Sequence, residues 1–319
     1  MPESAGQDVP HAKYQRLVRA AQALPAIKVA IAHPCDDVSL QGAVEAARLR
    51  LIEPILVGPV ERIRSVAKAA ALDIGGMDIV ASEHSHDSAA KAVGLVTAAR
   101  VEALMKGSLH TDELMGAVVA RDAGIRTARR ISHCFVMDVP RHPNALIITD
   151  AAVNIVPTLD DKVDIVQNAI DLAHAMGVTE VRVALLSAME TVTAKVPSTI
   201  EAAALCKMAD RGQITGALLD GPLALDNAIS PEAAAIKQIV SPVAGRANVL
   251  VVPDLEAGNM LAKSLSFLAH ADAAGIVLGA RVPIILTSRA DSLLTRLASC
   301  AVAVMVAAAR RHSASASIR

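Results

Sequence analysis

The stretch IKVAIAHPCDDVSLQGAVEAARLRLIEPILVG, residues 27–58, decides the fold class of this sequence. Two aliphatic runs, 27–32 and 54–58, flank a segment whose apolar residues recur every three to four positions. The runs predict strands and the segment between them predicts a helix. Strand, helix and strand in this order build parallel sheets, because a crossover connection returns the chain to the edge where it began. The stretch therefore predicts an α/β protein.

The same alternation continues along most of the chain. Strand-like runs and helical segments alternate to residue 107, a hairpin pattern without a helix spans 132–154, and the alternation then resumes to residue 288. The hairpin is typical of a boundary between two series of βα units. We therefore predict two α/β domains with parallel-rich sheets and a cleft between them, residues 1–138 with about 290–319 forming the first and residues 139–289 the second.

The composition favours a protein that binds small molecules. Hydrophobic residues make up 53% of the 319 residues, but Trp is absent, with one Tyr and two Phe. Aliphatic side chains must therefore fill the core. The shortage of aromatic rings argues against nucleic-acid modules that stack bases, and a net charge of -1 argues against a large phosphate-backbone footprint.

The cysteines and the apolar runs favour a cytoplasmic protein with no membrane partner. The four cysteines form no CxxC pair, which argues against a zinc site or a disulfide framework. The N-terminal segment lacks the continuous apolar core of a signal peptide. The run LASCAVAVMVAAA, residues 297–309, has 13 residues, whereas about 20 are needed to span a bilayer. It predicts a buried core helix.

Polar residues gather where the predicted strands end. In open α/β sheets, ligands bind outside the carboxyl ends of the strands, where helix N-termini converge. The polar and glycine residues at these positions are His33, Asp36, Lys106, Gly107, Ser108, Asp150, Asn154, Ser187, Asp220, Gly221, Asp254, Glu256, Ser288 and Arg289. An Asp or Ser before a helix is also an ordinary N-cap. Spacing alone supports an α/β enzyme with an anion-binding cleft.

Other motifs carry weaker signals. Glu83, His84 and His86 could bind a metal, but they lack the i, i+4 pairing of known zinc helices and fit a solvated loop better. Residues 106–108 lack the upstream glycine of a Walker A loop, and no GxGxxG follows the first strand. Cys300 lies inside an apolar run with no histidine nearby in sequence, which disfavours it as a nucleophile.

Six longer segments share a resemblance. They are MKGSLHTDELMGAVV, ITDAAVNIVPTLDDKVDIVQNAIDLA, VALLSAMETVTAKVPSTIEAAAL, LLDGPLALDNAISPEAA, SPVAGRANVLVVPDLEAGNMLAKSL and PIILTSRADS, and in this order they resemble the phosphate acetyltransferase and phosphate butyryltransferase family. The resemblance implies reversible transfer of a short acyl group between coenzyme A and phosphate. It also implies two domains of the isocitrate/isopropylmalate-dehydrogenase-like type, a homodimer, no metal and no tightly bound cofactor.

The resemblance also implies roles for individual residues. Ser288 would face the acyl carbonyl and Arg289 would bind phosphate, while Asp291 is the candidate base for the thiol of coenzyme A. The residues expected to bind substrate or coenzyme A are Lys106, Gly107, His110, Thr111, Asp220, Gly221, Glu256, Gly258, Asn259 and Lys263. We expect Gly258 and Asn259 to form a turn into a helix, and Glu256, Gly258 and Asn259 to lie beside Ser288.

Two positions depart from the pattern of the acetyltransferase branch. Thr295 stands where that branch has its catalytic aspartate, and Gly116 stands where it has an arginine. Asp291 is then the available carboxylate, although it could instead cap the last helix through backbone N–H groups two or three residues ahead. Both departures favour the butyryltransferase-like or less characterised members.

Two alternatives remain at this stage. One is a nicotinamide-dependent dehydrogenase of the same architecture, because a fold does not fix a function. The other is a degenerate acyl-coenzyme A-binding subunit without turnover. Assays with each nicotinamide cofactor would identify the first, and coenzyme A binding without phosphate-dependent thioester cleavage would identify the second.

Overall fold

The computed structural model describes residues 11–123, 125–140, 142–288 and 291–316. The strands are β1 (Ile27–Ala32), β2 (Ile52–Gly58), β3 (Asp78–Ala81), β4 (Ala103–Lys106), β5 (Ser132–Asp138), β6 (Leu146–Thr149), β7 (Arg182–Leu186), β8 (Leu218–Leu223), β9 (Val249–Val251), β10 (Asp272–Leu278) and β11 (Ile284–Ile285). The helices are α1 (Ala12–Gln22), α2 (Asp37–Arg48), α3 (Val60–Ala69), α4 (Ser85–Thr97), α5 (Thr111–Val119), α6 (Leu159–Ala175), α7 (Pro197–Asp210), α8 (Leu225–Ile229), α9 (Pro231–Ile236), α10 (Leu255–Leu268) and α11 (Leu293–Ala316). The predicted α/β class is confirmed.

The strands form one large mixed sheet in the order β3-β2-β1-β4-β11-β10-β5-β6-β9-β7-β8. Strands β3, β2, β1, β4 and β11 are parallel to one another and form the first half. Strands β6, β9, β7 and β8 are also mutually parallel and form the second half. Between the halves, β10 and β5 pair antiparallel with each other and with their outer neighbours. The halves therefore run in opposite directions.

The two faces of the sheet are covered differently. On the face that we call continuous, one core extends across both halves beneath α1, α2, α3, α6, α7 and α11. On the other face, which we call divided, one core lies beneath α4 and α5 and a separate core lies beneath α8, α9 and α10. Alternation of side chains along each strand sends neighbouring residues to opposite faces. The centre of the divided face therefore lies between two helical layers.

Helix α11 is the apolar run that the sequence predicts as a buried core helix, and this prediction is confirmed. It packs against α1, α2, α6, β10 and β11, and Cys300, Val302 and Val304 are fully buried. Its segment Leu293–His312 is long and apolar enough to cross a membrane by length and composition, but 67% of the most apolar window is buried inside the protein. Burial among neighbouring elements accounts for its composition.

The hairpin at 132–154 is confirmed as the antiparallel pair β5 and β6. Strand β10 is a strand that the sequence pattern did not predict, because Ala273, Ala274 and Gly275 give it low strand propensity. The division at residues 138 and 290 stays a prediction. In the sheet, β11 pairs with β4, so the segment leading to Ser288 lies beside the strand Ala103–Lys106 of the first half.

Candidate functional site

The strand-end residues form two clusters rather than one. Because the halves of the sheet run in opposite directions, their carboxyl ends reach opposite edges. Met105, Ile285, Ile276, Cys134 and Thr149 lie in one row across the sheet. The first half continues from this row towards Ser288, and the second half continues the other way towards Asp150. By strand spacing, these two residues lie roughly 20 Å apart.

The turn after β11 carries Ser288, which is exposed. Its backbone N–H donates to Asp291 Oδ2 at 2.5 Å, and the N–H of Asp291 donates to the Ser288 carbonyl at 3.2 Å. Arg289 lies outside the described residues. The turn thus closes on itself through Asp291. Asp291 therefore does not cap α11 as the alternative interpretation predicted, since its side chain accepts from a residue behind it, and Ser292 Oγ accepts the N–H of Thr295 instead.

Arg296 anchors this turn from the first turn of α11. Its Nη1 donates to Thr287 Oγ1 at 2.8 Å and its Nη2 donates to the Ser288 carbonyl at 2.7 Å. The residue is 3% exposed. Burial lowers the pKa of the guanidinium, and the negative charges of Asp291 and Asp36 oppose that shift. Sequence reasoning missed Arg296, because an arginine inside an apolar helix gives no local signal of the turn that it contacts.

The loop after β4 meets the end of β1 beside this turn. Ser108 Oγ donates to the His33 carbonyl at 2.8 Å, and the backbone N–H of Cys35 donates to Ser108 Oγ at 3.3 Å. A Cβ at Gly107 would stand 2.3 Å from the Ala32 carbonyl oxygen, so only glycine allows the strands to end this closely. Lys106 is 5% exposed and its Nζ donates to the Gly107 carbonyl at 3.3 Å. We call this region, with Ser288, Asp291 and Arg296, the Ser288 cluster.

His33 lies under the cluster as a buried group. It is 6% exposed, its backbone has φ of 58°, and its Nδ1 lies 2.9 Å from Ser88 Oγ. Burial lowers the pKa of the imidazole, and the positive charge of Arg62 lowers it further. Ser82 Oγ lies 2.7 Å from Ser88 Oγ. These contacts hold His33 in place beneath the Gly107 loop.

His110 and Thr111 begin α5 at the rim of the Ser288 cluster, and both are exposed. The His110 N–H donates to Glu113 Oε2 at 2.6 Å. Ser85 Oγ donates to Glu113 Oε1 at 2.6 Å. One turn further, a Cβ at Gly116 would meet no atom within 4 Å, so the position has room for a larger side chain. The structure thus places the His110 region on the same half of the sheet as Ser288.

The Asp150 cluster, formed by Arg130, Asp150, Asn154, Gly258 and Asn259, is a closed hydrogen-bond network. Asp150 is 3% exposed, and its carboxylate accepts the backbone N–H groups of residues 152, 153 and 154 and the Asn154 amide. Asn154 Oδ1 accepts from Arg130 Nε at 2.7 Å. Both carboxylate oxygens of Asp150 are therefore used in holding the loop after β6.

The region around α10 belongs to the Asp150 cluster. The predicted turn at Gly258 is wrong, because α10 begins at Leu255 and Asp254 caps it by accepting the Ala257 N–H at 2.8 Å. A Cβ at Gly258 would stand 2.9 Å from the Asp150 carbonyl oxygen, so the glycine permits close packing. Asn259 Nδ2 donates to the Ala151 carbonyl.

The remaining predicted residues also lie on the second half. Glu256 and Lys263 are exposed on α10, and no described residue forms an ion pair with either. Asp220 and Gly221 lie in β8, the edge strand, six strands from β11. The chain therefore does not bring these residues, or Gly258 and Asn259, beside Ser288. Their part in binding stays a prediction.

The histidine-rich segment 82–87 is a loop only as far as His84, because α4 begins at Ser85 and includes His86. His84 caps the helix by accepting the Asp87 N–H on Nδ1 at 3.2 Å, and His86 Nδ1 lies 3.1 Å from Glu113 Oε1. Within the described part of the chain, no group of three or more His, Cys, Asp or Glu side chains is placed to hold a metal ion.

Comparisons with known proteins agree with the resemblance. Residues 80–304 match the family described as Phosphate acetyl/butaryl transferase. The chain is 68% identical over 300 residues to a phosphate acetyltransferase from Rhizobium meliloti, covering 94% of this chain and 95% of the relative. It is 39% identical to a phosphate butyryltransferase from Clostridium beijerinckii, covering 92% and 98%. The crystal structure of a branched-chain phosphotransacylase from Enterococcus faecalis is similar, with a TM-score of 0.78, 30% identity and coverage of 88% and 99%.

Proposed function

The chain belongs to the phosphate acetyl/butyryl transferase family and moves an acyl group reversibly between coenzyme A and phosphate, and from this premise we propose that Ser288, Arg289 and Asp291 carry the reaction. The observation that supports this assignment most is the turn after β11, where Asp291 and Arg296 hold an exposed Ser288. The family match and the named relatives favour this reaction over the two alternatives, a nicotinamide-dependent dehydrogenase and an inactive acyl-coenzyme A-binding subunit.

The chemistry needs a donor to the carbonyl and a cation for phosphate. A phosphate oxygen attacks the thioester carbon, the C–S bond breaks, and the thiolate leaves with the acyl phosphate formed. Negative charge builds on the carbonyl oxygen, and a donor aimed at that oxygen lowers the barrier. Ser288 Oγ is the donor in our proposal. Arg289 binds phosphate, because a guanidinium matches two phosphate oxygens at once.

Asp291 handles the thiol proton in our proposal. In the direction of thioester synthesis it takes the proton from coenzyme A, and the thiolate then attacks the acyl phosphate and displaces phosphate. A thiol with an ordinary pKa near 8.5 is mostly protonated at neutral pH, so a positioned base speeds this step. The contact between Asp291 and the Ser288 N–H places the carboxylate beside the donor, which supports the assignment.

Coenzyme A is an extended ligand with a thiol at one end and phosphates at the other. We propose that Lys106, Gly107, His110 and Thr111 contact it near the reacting end, because they lie on the same half of the sheet as Ser288. Glu256, Gly258, Asn259, Lys263, Asp220 and Gly221 are proposed contacts for its distal part.

We also propose two lobes of the isocitrate/isopropylmalate-dehydrogenase-like type, with the cleft on the divided face. The two separate cores on that face support this proposal. A cytoplasmic location is proposed for a small-molecule enzyme whose four cysteines are all unpaired.

A homodimer is proposed through the outer surface of α10. Met260, Phe267 and Leu268 are 63%, 74% and 80% exposed, and Ile155 and Val156 beside the start of α10 are 71% and 81% exposed. Several exposed large apolar side chains on one helix and its neighbouring loop are typical of an interaction surface. Phe267→Asp should shift the mass measured by light scattering from dimer to monomer, whereas an unchanged dimer would place the interface elsewhere.

The experiment that tests the function measures phosphate-dependent release of coenzyme A from acetyl, propionyl, butyryl and longer thioesters. The 68% identical relative is named an acetyltransferase, so we propose acetyl as the preferred acyl group. This proposal differs from the butyryltransferase-like branch that Gly116 and Thr295 favoured in the sequence. Activity should persist in the presence of a chelator. Activity that vanishes with the chelator and returns with a divalent ion would contradict the proposed chemistry.

A further inference from the structure

A cavity of about 700 Å³ lies between α6 and α11 on the continuous face. Leu278 at the end of β10 lies at its base, and the segments 127–129 and 279–281 form its rim. None of the described residues of the Ser288 cluster or the Asp150 cluster lines it. Sites for small molecules have volumes of roughly 300 to 1,000 Å³, and this cavity falls within that range. We call it the α6/α11 cavity.

The α6/α11 cavity lies away from the proposed reacting groups. Strands β10 and β11 are antiparallel, so the end of β10 at Leu278 and the end of β11 that leads to Ser288 reach opposite edges of the sheet. A ligand in the cavity is therefore separate from an acyl group held at Ser288. It is also separate from the cleft that we propose on the divided face, because α6 and α11 cover the other face.

Hydrogen bonds within the protein hold the rim of the cavity. Thr127 Oγ1 donates to the Gly279 carbonyl and accepts the backbone N–H of Arg129 at 3.1 Å. The backbone N–H of Arg281 donates to the Ile125 carbonyl at 2.9 Å. The two rim segments are thus fixed to each other and to the preceding chain. The cavity is part of the fold and needs no ligand to form it.

Three arginines and one carboxylate supply the charge of the lining. Arg129 forms an ion pair with Asp171. Arg281 and Arg310 also line the cavity, and no carboxylate in the described part of the chain lies within ion-pair distance of either. Counting His174 as neutral, the lining carries two positive charges that no carboxylate pairs with. The cavity therefore favours a ligand with two negative charges.

The environment of Arg310 points to the same kind of ligand. The residue is partly buried, and its Nη1 donates to the Ala280 carbonyl at 3.2 Å and to the Arg281 carbonyl at 2.8 Å. Burial lowers the pKa of the guanidinium, the charge of Asp171 opposes this shift, and the charge of Arg129 adds to it. Moving a cation out of water costs free energy that neutral carbonyl groups offset only in part. An anion in the cavity would supply the opposite charge.

The rest of the lining is apolar and suits the organic part of such a ligand. The aliphatic side chains in it are Leu172, Ala175, Leu278 and Val306. A phosphate monoester carries close to two negative charges at pH 7, and guanidinium groups bind its oxygens in pairs. Its organic group would cover the aliphatic side chains. Inorganic phosphate supplies the charge but leaves this apolar surface in contact with water.

We infer that the α6/α11 cavity binds a small phosphate monoester through Arg281 and Arg310, at a second site of the enzyme. Such a ligand contacts α6, which follows β6 of the second half, and α11, which packs against β11 of the first half. It therefore joins elements of both halves on the continuous face. Because it binds the folded chain, it raises the free energy of unfolding by mass action.

The test measures binding of phenyl phosphate by isothermal titration calorimetry. All full-length proteins in it carry Arg289→Ala, which removes the phosphate contact that we propose for the reaction. One of them has no further change, one adds Arg281→Gln, and one adds Arg64→Gln. Arg281 is exposed, so its replacement should not prevent folding. Arg64 is the matched control, because it is an exposed arginine on α3 that does not line the cavity.

We expect one bound phenyl phosphate in the Arg289→Ala protein. Adding Arg281→Gln should weaken this binding by about 10-fold or more, since a charge-assisted contact is lost. Adding Arg64→Gln should leave the dissociation constant within about 2-fold, the range of a surface charge. Inorganic phosphate should bind more weakly than phenyl phosphate. The melting temperature should rise with phenyl phosphate in the Arg289→Ala protein and much less once Arg281→Gln is added.

Three results would overturn the inference. They are no binding to the Arg289→Ala protein, equal affinity with and without Arg281→Gln, and inorganic phosphate binding as tightly as phenyl phosphate. None of these results depends on the role of Arg289, because the site is assigned by the effect of Arg281→Gln. The coenzyme A release assay tests the proposed function separately, so the two can fail independently.

Discussion

The Ser288 cluster and the Asp150 cluster begin from the same sequence pattern and end in different physical states. Each follows a strand and contains an aspartate, Asp150 directly after β6 and Asp291 six residues after the end of β11. Asp150 is 3% exposed and accepts four hydrogen bonds from its own loop. Ser288 is exposed, and Asp291 and Arg296 contact its backbone. A carboxylate whose two oxygens accept hydrogen bonds from its own loop stabilises that loop. A turn whose contacts are made through its backbone leaves the side chain of Ser288 available to a ligand.

The comparison predicts that variants in the two clusters fail in different ways. Changes at Ser288, Arg289 and Asp291 should lower turnover with little effect on stability. Changes at Arg130, Asp150 and Asn154 should lower stability with little effect on the turnover of the folded fraction.

The largest effect is expected for Asp291→Asn. The amide oxygen can still accept the Ser288 N–H, but the thiol of coenzyme A loses its base. Thioester synthesis should fall by roughly 10²- to 10⁴-fold, and the loss should shrink as the pH approaches the thiol pKa near 8.5. The pH–rate profile measures this effect. Asp254→Asn, which changes only a helix cap at the opposite edge, is the matched control. Normal turnover of Asp291→Asn across the pH range would remove it as the base.

Arg289→Ala should have the next largest effect. Loss of a charge-assisted contact to phosphate should raise the activation free energy by about 2 to 4 kcal/mol. This corresponds to a kcat/KM for phosphate that is roughly 30- to 1000-fold lower, with a raised KM and a lowered kcat. Steady-state kinetics at varied phosphate measure both. Arg130→Ala, in the Asp150 cluster, should leave phosphate saturation unchanged. Equal effects of Arg289→Ala and Arg130→Ala on phosphate saturation would contradict the proposed difference between the two clusters.

Asp150→Ala should cost roughly 3 kcal/mol of unfolding free energy, because three backbone N–H groups and the Asn154 amide lose their acceptor in a buried site. Urea denaturation measures this loss. Ser288→Ala should change the free energy by less than about 0.5 kcal/mol, since the side chain is exposed. If Asp150→Ala is as stable as the wild type but inactive, the second cluster is a functional site after all.

The smallest effect concerns how the free energy of unfolding depends on pH. It involves His133, which lies beside Asp150. The folded pKa of His133 is lowered to about 4 from 6.5. Between pH 6.5 and pH 4 the unfolded chain binds the proton more readily than the folded protein does. The free energy of unfolding therefore falls as the pH drops through this window, and the contribution of His133 is fully present above it. We expect a loss of roughly 2 kcal/mol between pH 7 and pH 5. His133→Gln should flatten this slope, and an unchanged slope would assign the loss to other groups.

The local elements were predictable from the sequence because periodicity reports which side of an element is buried. The strands at 27–32 and 54–58, the hairpin at 132–154 and the apolar helix after Asp291 all follow from such patterns. The resemblance added the family and the residues after β11. Local patterns therefore predicted the elements and the resemblance predicted the chemistry, but neither predicted how the strands are ordered.

The direction of the two halves was not predictable from local patterns. It depends on β10, whose Ala and Gly residues become a strand only by pairing with β5 and β11. Without that strand, the local pattern assigns all polar strand ends to one edge of the sheet. The expectation that Gly258 and Asn259 lie beside Ser288 came from this gap. The contact between Arg296 and the Ser288 turn likewise depends on tertiary packing, which a single sequence does not encode as a pattern.

Helix α11 is synthesised late, although much of the core packs against it. During synthesis on the ribosome, residues 293–316 emerge after every element that they pack against, including α1, α2 and α6. The core on the continuous face lacks its central helix until then, so both halves of the nascent chain expose apolar surface in the meantime. A chain that stops before Leu293 would retain that exposure. We expect such truncated chains to depend on chaperones and to aggregate, even though the strands of the sheet are already complete.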